Sequence, residues 1–180
     1  MTTKFNKIAI VGMACRFPGD ANSLEAYWNI LKSGKDVVTE VPAERWGKNF
    51  YQHPNKKEPG KSYTFAAGVI SNIDQFDADF FGISPREAEH MDPQQRLLLE
   101  LTWEALENAG QVPAQLAGEN CAVYIGIAGT DYAQCRIDDP SSIDAYTMTG
   151  GTLSIASNRI SYLFDLRGPS VSVDTACSSS

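Results

Sequence analysis

Along the chain, short unbroken apolar runs alternate with stretches where apolar residues return every three or four positions. The runs are IAIVGM (8–13) and CAVYIGIA (121–128), each of the length expected for a strand buried on both faces. Three helical patterns accompany them. Ser23 stands as an N-cap before a helix over 24–32, with Leu24, Trp28 and Leu31 on one face and Gly34 as the stop. Asp92-Pro93-Gln94-Gln95 supplies a capping side chain, a proline at the first helical position and a Gln at the third, the sequence form of a capping box. Leu97, Leu98, Leu101, Ala105 and Ala109 continue that helix and Gly110 ends it. Residues 152–164 carry Leu153, Ala156, Ile160 and Leu163 on one stripe, Gly168-Pro169 turns the chain, and 170–173 reads as a strand. This alternation predicts an α/β layered fold with a largely parallel sheet. Residues 35–66 break the pattern, because Pro42, Pro54, Pro59 and Gly60 interrupt any regular element.

Composition narrows the class. With 180 residues, 43% hydrophobic and 21% charged, the chain reads as a globular domain of ordinary size. The formal net charge of −7 argues against nucleic acid or anionic membrane as the main partner, while leaving room for an acidic carrier on a local basic patch. No apolar run is long enough to span a bilayer. The start has two early lysines and the run 8–14, but Cys15, Arg16 and Pro18 follow at once, which favours a first strand over a signal peptide. Cys15, Cys121, Cys135 and Cys177 are widely spaced without a CxxC pair, and the two histidines, His53 and His90, have no metal-ligand spacing. The expectation is reduced thiols in a cytoplasmic protein, with no metal site.

Cys177 is the candidate nucleophile. It follows the strand-like VSV inside DTACSSS (174–180), where small residues suit a tight strand-to-helix turn. A thiolate at a helix start is stabilised by unpaired N–H groups, which could also hold an oxyanion. The alternative is an inert small core residue. His90 stands among Glu87, Glu89 and Asp92 and reads as a surface or helix-boundary residue, and His53 lies in the proline-rich loop without chemical context. Gly60-Lys61-Ser62 lacks the earlier glycine of a phosphate loop, since Asn55 stands there. Asp74, Asp77 and Asp79 lack the calcium-loop pattern and read as turn carboxylates, with Phe76, Phe80 and Phe81 as packing residues. The run Thr149-Gly150-Gly151-Thr152 fits either a close backbone approach to a ligand or subunit, or a helix-start turn.

Four segments together resemble a known family: IAIVGMACRFPG (8–19), FDADFFGISPREAEHMDPQQRLLLELTWEALENAG (76–110), SNRISYLFDLRGPS (157–170) and DTACSSS. They resemble the ketosynthase domain of multidomain polyketide synthases, in the family's order from Lys7 to Ser180. The resemblance implies a thiolase-like fold, layered α/β/α/β/α, of which residues 1–180 would be the N-terminal part, mainly the first half, cut just after the active-site cysteine. It implies that Cys177 takes an acyl chain as a thioester from the phosphopantetheine arm of an acyl carrier protein, and that its backbone N–H is an oxyanion donor. A malonyl-type extender is then decarboxylated and condensed. No cofactor is expected to bind directly, and the complete domain is expected to be a homodimer.

The histidines and lysine that the family uses for decarboxylation lie in later motifs, and neither His53 nor His90 matches them. The isolated chain is therefore expected to have no condensing activity. Ala66-Ala67 and Cys121 replace glycines common in the family and read as packing variations. The rivals are a discrete fatty-acid ketosynthase, against which the long WGKNFYQHPNKKEPGKSY loop speaks, and a non-condensing homologue, against which Cys177 speaks. A hydrolase has no Ser–His–acid set to build from. The strand at 170–173 and the helix at 152–164 are expected to offer apolar surface to partners outside this chain, leaving the isolated chain marginally stable.

Overall fold

The computed structural model describes residues 7–138 and 140–179. In chain order its elements are α1 (Leu24–Ser33), β1 (Val38–Glu40), α2 (Lys48–Tyr51), β2 (Ala66–Gly68), α3 (Pro85–His90), α4 (Pro93–Asn108), α5 (Pro113–Leu116), β3 (Val123–Gly126), α6 (Asp131–Ile137), α7 (Thr147–Gly151), α8 (Leu153–Leu163) and β4 (Ser170–Val173). They fall into two compact units, residues 15–72 and the remainder.

In residues 15–72, α1 begins where the sequence places it. The Ser23 hydroxyl accepts from the Ala26 N–H at 3.1 Å, and Gly34 ends the helix at φ 62°. Its inward face is not the predicted one. Leu24, Tyr27 and Ile30 are half-buried, with the Tyr27 ring 4.4 Å from that of Phe17, whereas Trp28 and Leu31 are exposed. A stripe at i, i+3, i+6 has won over one at i, i+4, i+7, and both fit the helical period. β1 and β2 pair antiparallel, with Thr39 opposite Ala67. The Trp46 ring stacks on Phe65 at 4.9 Å and lies 5.5 Å from Tyr51. The loop-rich expectation thus gains two short strands and a helical turn.

In the other unit, α8 packs on β3, β4 and α4. Phe81, Ile83, Ala88, Met91, Leu99, Val123, Ile160 and Phe164 form one buried cluster. β3 and β4 are parallel neighbours, Val123 opposite Ser170 and Gly126 opposite Val173. The sheet is covered on one face only. Val123 is buried and Ile125, Ser170 and Ser172 half-buried, while Tyr124, Val171 and Val173 face outward and are exposed. The expectation that 121–128 is buried on both faces is therefore corrected, because α8 covers one side alone. Hydroxyl pairs set the α8 approach: Ser172 Oγ donates to Ser157 Oγ and Ser161 Oγ to Ser170 Oγ, each at 3.0 Å. Small polar side chains bring the helix close without leaving a buried hydroxyl unpaired.

Residues 8–13 correct a second expectation. They form no strand, and Ile8, Ile10 and Val11 are 94%, 81% and 70% exposed. A parallel-sheet strand is held by neighbours, and among the described residues none pairs with this segment. It runs beside α4 instead. The Met13 N–H donates to Asn108 Oδ1 at 3.1 Å, and a Cβ on Gly12 would lie 2.2 Å from the Ala105 carbonyl oxygen. No described helix is long and apolar enough to cross a membrane.

Candidate active site

β4 ends at Val173 and the chain enters a single turn of 3₁₀ helix, Ala176–Ser178, that presents Cys177. The turn is held from several sides. Asp174 Oδ1 accepts from the Ala176 N–H at 2.9 Å, Ser179 Oγ from the Thr175 N–H at 2.7 Å, and Ser178 Oγ donates to the Thr175 carbonyl at 2.8 Å. The Ser178 and Ser179 N–H groups donate to the carbonyls of Thr175 and Ala176. Among the described residues, the Cys177 N–H makes no such bond. An N–H left over in a turn that uses all its neighbours is a ready oxyanion donor.

Two further features shape the turn. Ala176 has φ 53°, the left-handed region that a residue with a Cβ enters at a cost of about 1–2 kcal/mol. Such strain, one residue before an exposed thiol, persists only where surrounding bonds over-determine it, and it concentrates at functional sites. Gly126, last residue of β3, is the second feature. A Cβ there would stand 1.8 Å from the Ser179 carbonyl oxygen, so only glycine lets the turn close over the strand end. Sequence reasoning missed this glycine, although its place at the end of an apolar run was a readable signal.

The remaining candidates are placed elsewhere. His90 ends α3 with its Nδ1 2.9 Å from the Arg86 carbonyl and its Nε2 3.3 Å from Asp144 Oδ1. Its side chain is only 10% exposed, so of the two readings, surface or helix boundary, the second holds: His90 is a half-buried residue at the end of α3 that ties it to the segment before α7. Burial alone would raise the Asp144 carboxyl, but the Tyr146 N–H, Arg86 and His90 outweigh it and hold the carboxyl below its ordinary value. His53 accepts at Nδ1 from the Asn55 N–H within its loop. Asp77 Oδ1 caps the Phe80 N–H at 3.1 Å, and among the described residues no group of His, Cys, Asp and Glu forms a metal-binding set. Lys61 Nζ donates to the Phe50 carbonyl at 2.6 Å. Cys15 is buried, Cys121 half-buried and Cys135 exposed, and none of the four thiols is paired with another.

The glycine run resolves as an internal close approach. A Cβ on Gly150 would lie 2.0 Å from the His90 carbonyl oxygen, and the Gly150 carbonyl accepts from the Asp92 N–H at 2.9 Å. This alters the capping box. Asp92 Oδ1 caps the Gln94 N–H at 2.8 Å, but the Gln95 side chain does not reach back to Asp92. Its Nε2 donates to the Thr149 and Gly150 carbonyls at 3.1 and 2.9 Å, and its Oε1 accepts from Arg159 Nε at 2.9 Å. Arg159 also bonds Glu87 at 2.5 Å. Burial pushes the Asp92 carboxyl above its ordinary value, with Gln94 and Arg96 opposing only in part.

Residues 5–180 match the family model described as the N-terminal domain of beta-ketoacyl synthase. The chain is 49% identical over 173 residues to a phenolphthiocerol/phthiocerol polyketide synthase protein of Mycobacterium tuberculosis, a match that covers 96% of this chain and 11% of that protein. It is also 49% identical over 174 residues to the spectinabilin polyketide synthase system protein NorC of Streptomyces orinoci, again 96% of this chain but 8% of the relative. Among solved structures, the oxazolomycin ketosynthase domain OzmH KS7 of Streptomyces albus JA3453 superposes with a TM-score of 0.85 at 37% identity, over 94% of this chain and 29% of that one. The ketosynthase from module 6 of the bacillaene synthase of Bacillus subtilis 168 gives a TM-score of 0.78 at 35% identity, over 95% and 27%. The chain thus spans about a tenth of the curated relatives' length and under a third of the solved domains. The fold is thiolase-like, and the chain belongs to the beta-ketoacyl synthase family through that family's N-terminal domain.

Proposed function

We propose that this chain forms the nucleophile-bearing part of a polyketide ketosynthase, with Cys177 as the residue that is acylated. The Cys177 thiolate attacks the carbonyl carbon of an acyl thioester delivered on the phosphopantetheine arm of an acyl carrier protein. The carbonyl oxygen takes up negative charge and the Cys177 N–H donates to it. The carrier's sulfur then leaves with the electron pair and takes a proton, so one thioester is exchanged for another. In the second step a malonyl-type extender loses its carboxylate as carbon dioxide. The resulting carbanion forms a carbon–carbon bond to the acyl carbon, and Cys177 leaves as thiolate.

The observation that carries this reading is the turn itself: an exposed thiol, a strained residue before it and, on the same residue as the thiol, an N–H with no partner among the described residues. Cys177 lies in the DTACSSS motif of a chain whose family is named beta-ketoacyl synthase and whose solved neighbours are ketosynthases by name. The outward face of the β3–β4 pair, with Tyr124, Val171 and Val173 exposed, favours burial against further protein, both the rest of the domain and a second protomer. His90 is held by Arg86 and Asp144, which leaves it out of the proposed decarboxylation step.

The test is thiol release from an acyl N-acetylcysteamine thioester by the full-length protein and its Cys177→Ala variant. Covalent transfer should vanish in the variant with the fold intact by circular dichroism. Unchanged transfer would remove Cys177 from the mechanism.

A further inference from the structure

Arg96 is a buried cation without a counter-ion. It is 9% exposed, yet among the described residues its side chain makes one hydrogen bond, from Nη1 to the Asp74 carbonyl at 3.2 Å, and no ion pair. Its Nε–H is buried and has no partner among them. The Asp92 carboxyl feels the Arg96 charge, but as the smallest of the influences on it. Position sharpens the anomaly. Arg96 is the fourth residue of the 16-residue α4, where the helix dipole is positive and disfavours a cation. A buried guanidinium is ordinarily paired, with its donors satisfied.

The side chain lines an open cavity of about 720 Å³, walled by α3, α4, α6 and the 73–78 segment. Ile73, Phe76, Ala78, Ala88 and Pro93 make that wall largely apolar. Its other polar groups are engaged or open to water. The Tyr132 hydroxyl donates to the Glu89 carbonyl at 2.6 Å, the Glu89 carboxylate lies 3.5 Å from Arg136, and Asp74 is exposed. An apolar cavity with one underused charged donor has the form of a small-molecule site. The planar guanidinium matches a carboxylate through two parallel N–H groups. A doubly charged phosphate would meet more repulsion from Asp74 and Glu89 on the same wall than a singly charged carboxylate does.

We propose that this cavity binds a free carboxylic acid with an apolar body, its carboxylate on Arg96 and its chain along Phe76 and Ala88. The ligand supplies the counter-ion that the fold leaves out. It engages guanidinium N–H groups that have no other partner, and its charge gains from the N-terminus of α4. The site makes no use of the Cys177 thiol and does not depend on the condensing reading.

The experiment titrates the full-length protein with hexanoate by isothermal calorimetry. Parallel titrations use hexan-1-ol, which keeps the chain without the charge, and inorganic phosphate, which keeps charge without the chain. Each is repeated after Cys177 is alkylated with iodoacetamide, which separates this cavity from the site at the thiol. The variants are Arg96→Gln and Arg96→Lys. Hexanoate should bind wild type at least about tenfold more tightly than either control, before and after alkylation. Arg96→Gln should weaken hexanoate by at least about tenfold and leave hexan-1-ol unchanged. Arg96→Lys keeps the charge but loses the fork, and should weaken hexanoate by a few-fold. Hexanoate should raise the urea midpoint of wild type but not of Arg96→Gln. Equal affinity for hexanoate and hexan-1-ol overturns the inference, as does loss of binding on alkylation or unchanged hexanoate affinity in Arg96→Gln. Failure of hexanoate to bind wild type also overturns it, the result expected if further protein already supplies a carboxylate to Arg96. If Arg96→Gln does not fold, the comparison of the three ligands on wild type still decides.

Discussion

Residues 73–179 and residues 15–72 solve the packing problem differently. The first stretch repeats apolar residues on the helical period and converts them into one cluster around the fully buried Met91 and Leu99. The second stretch has few such repeats. Cys15, Ala21 and Phe65 are its buried apolar residues, and stacking of Trp46 on Phe65, capping and turn bonds do the rest. Rigidity and display are thereby separated. The turn bearing Cys177 grows from the cored unit, where a packed backbone can hold an N–H toward a reacting oxygen, whereas the thinly cored unit leaves aromatic residues such as Phe50 and Tyr63 exposed.

The largest effect should come from deleting core volume on either side of this comparison. Leu99→Ala should cost about 3–4 kcal/mol in urea melts of the full-length protein, within the range for buried leucines. Phe65→Ala should cost less than half as much, because fewer elements close around it. A larger loss at Phe65 would break the comparison.

Gly126→Ala should separate geometry from stability. Its Cβ would meet the Ser179 carbonyl oxygen at 1.8 Å and push the Cys177 turn away from the strand. A displacement near 1 Å can cost about 100-fold in rate, so acylation of Cys177 should fall by that order. Wild-type acylation in the variant would mean that the turn is not held by β3. Gly150→Ala, whose Cβ would stand 2.0 Å from the His90 carbonyl oxygen, should cost about 1–3 kcal/mol of stability instead.

Asp92→Asn should have the smallest effect, visible in its pH dependence. Burial raises the folded-state pKa of Asp92 above its unfolded value, so the folded state holds this proton more tightly. Stability contributed by this group is fully present below the unfolded pKa and lost as pH rises through the folded pKa. Asparagine keeps an oxygen for the Gln94 N–H and carries no charge. The variant should therefore match or exceed wild type in urea midpoint at neutral pH, and lose that advantage as pH falls below the carboxylate range. A neutral-pH midpoint clearly below wild type would show that the carboxylate charge is needed there.

Much of the cored unit was legible in advance. α4 and α8 start directly after Asp92 and Thr152, and β4 occupies the expected 170–173, because period and turn residues agree there. The faces were less legible. In β4 the serines turn toward α8 and the valines outward, since hydroxyl pairing with Ser157 and Ser161 decides the register and alternation cannot say which side a helix covers. Gln95 left the capping box because its amide donates instead to the carbonyls of Thr149 and Gly150, more than fifty residues away. The segment 8–13 carried a strand pattern, but pattern without a neighbour gives no ladder. The DTACSSS motif made Cys177 a candidate from sequence alone, while the Ala176 conformation and the Gly126 contact needed the fold.

The central claim is that Cys177 is the acylated residue, and mass spectrometry tests it most directly. The full-length protein is incubated with an acyl N-acetylcysteamine thioester, digested, and every cysteine peptide is scored for the acyl adduct. The account predicts the adduct on Cys177, with Cys15, Cys121 and Cys135 unmodified. An adduct on any of those three while Cys177 stays free would contradict it.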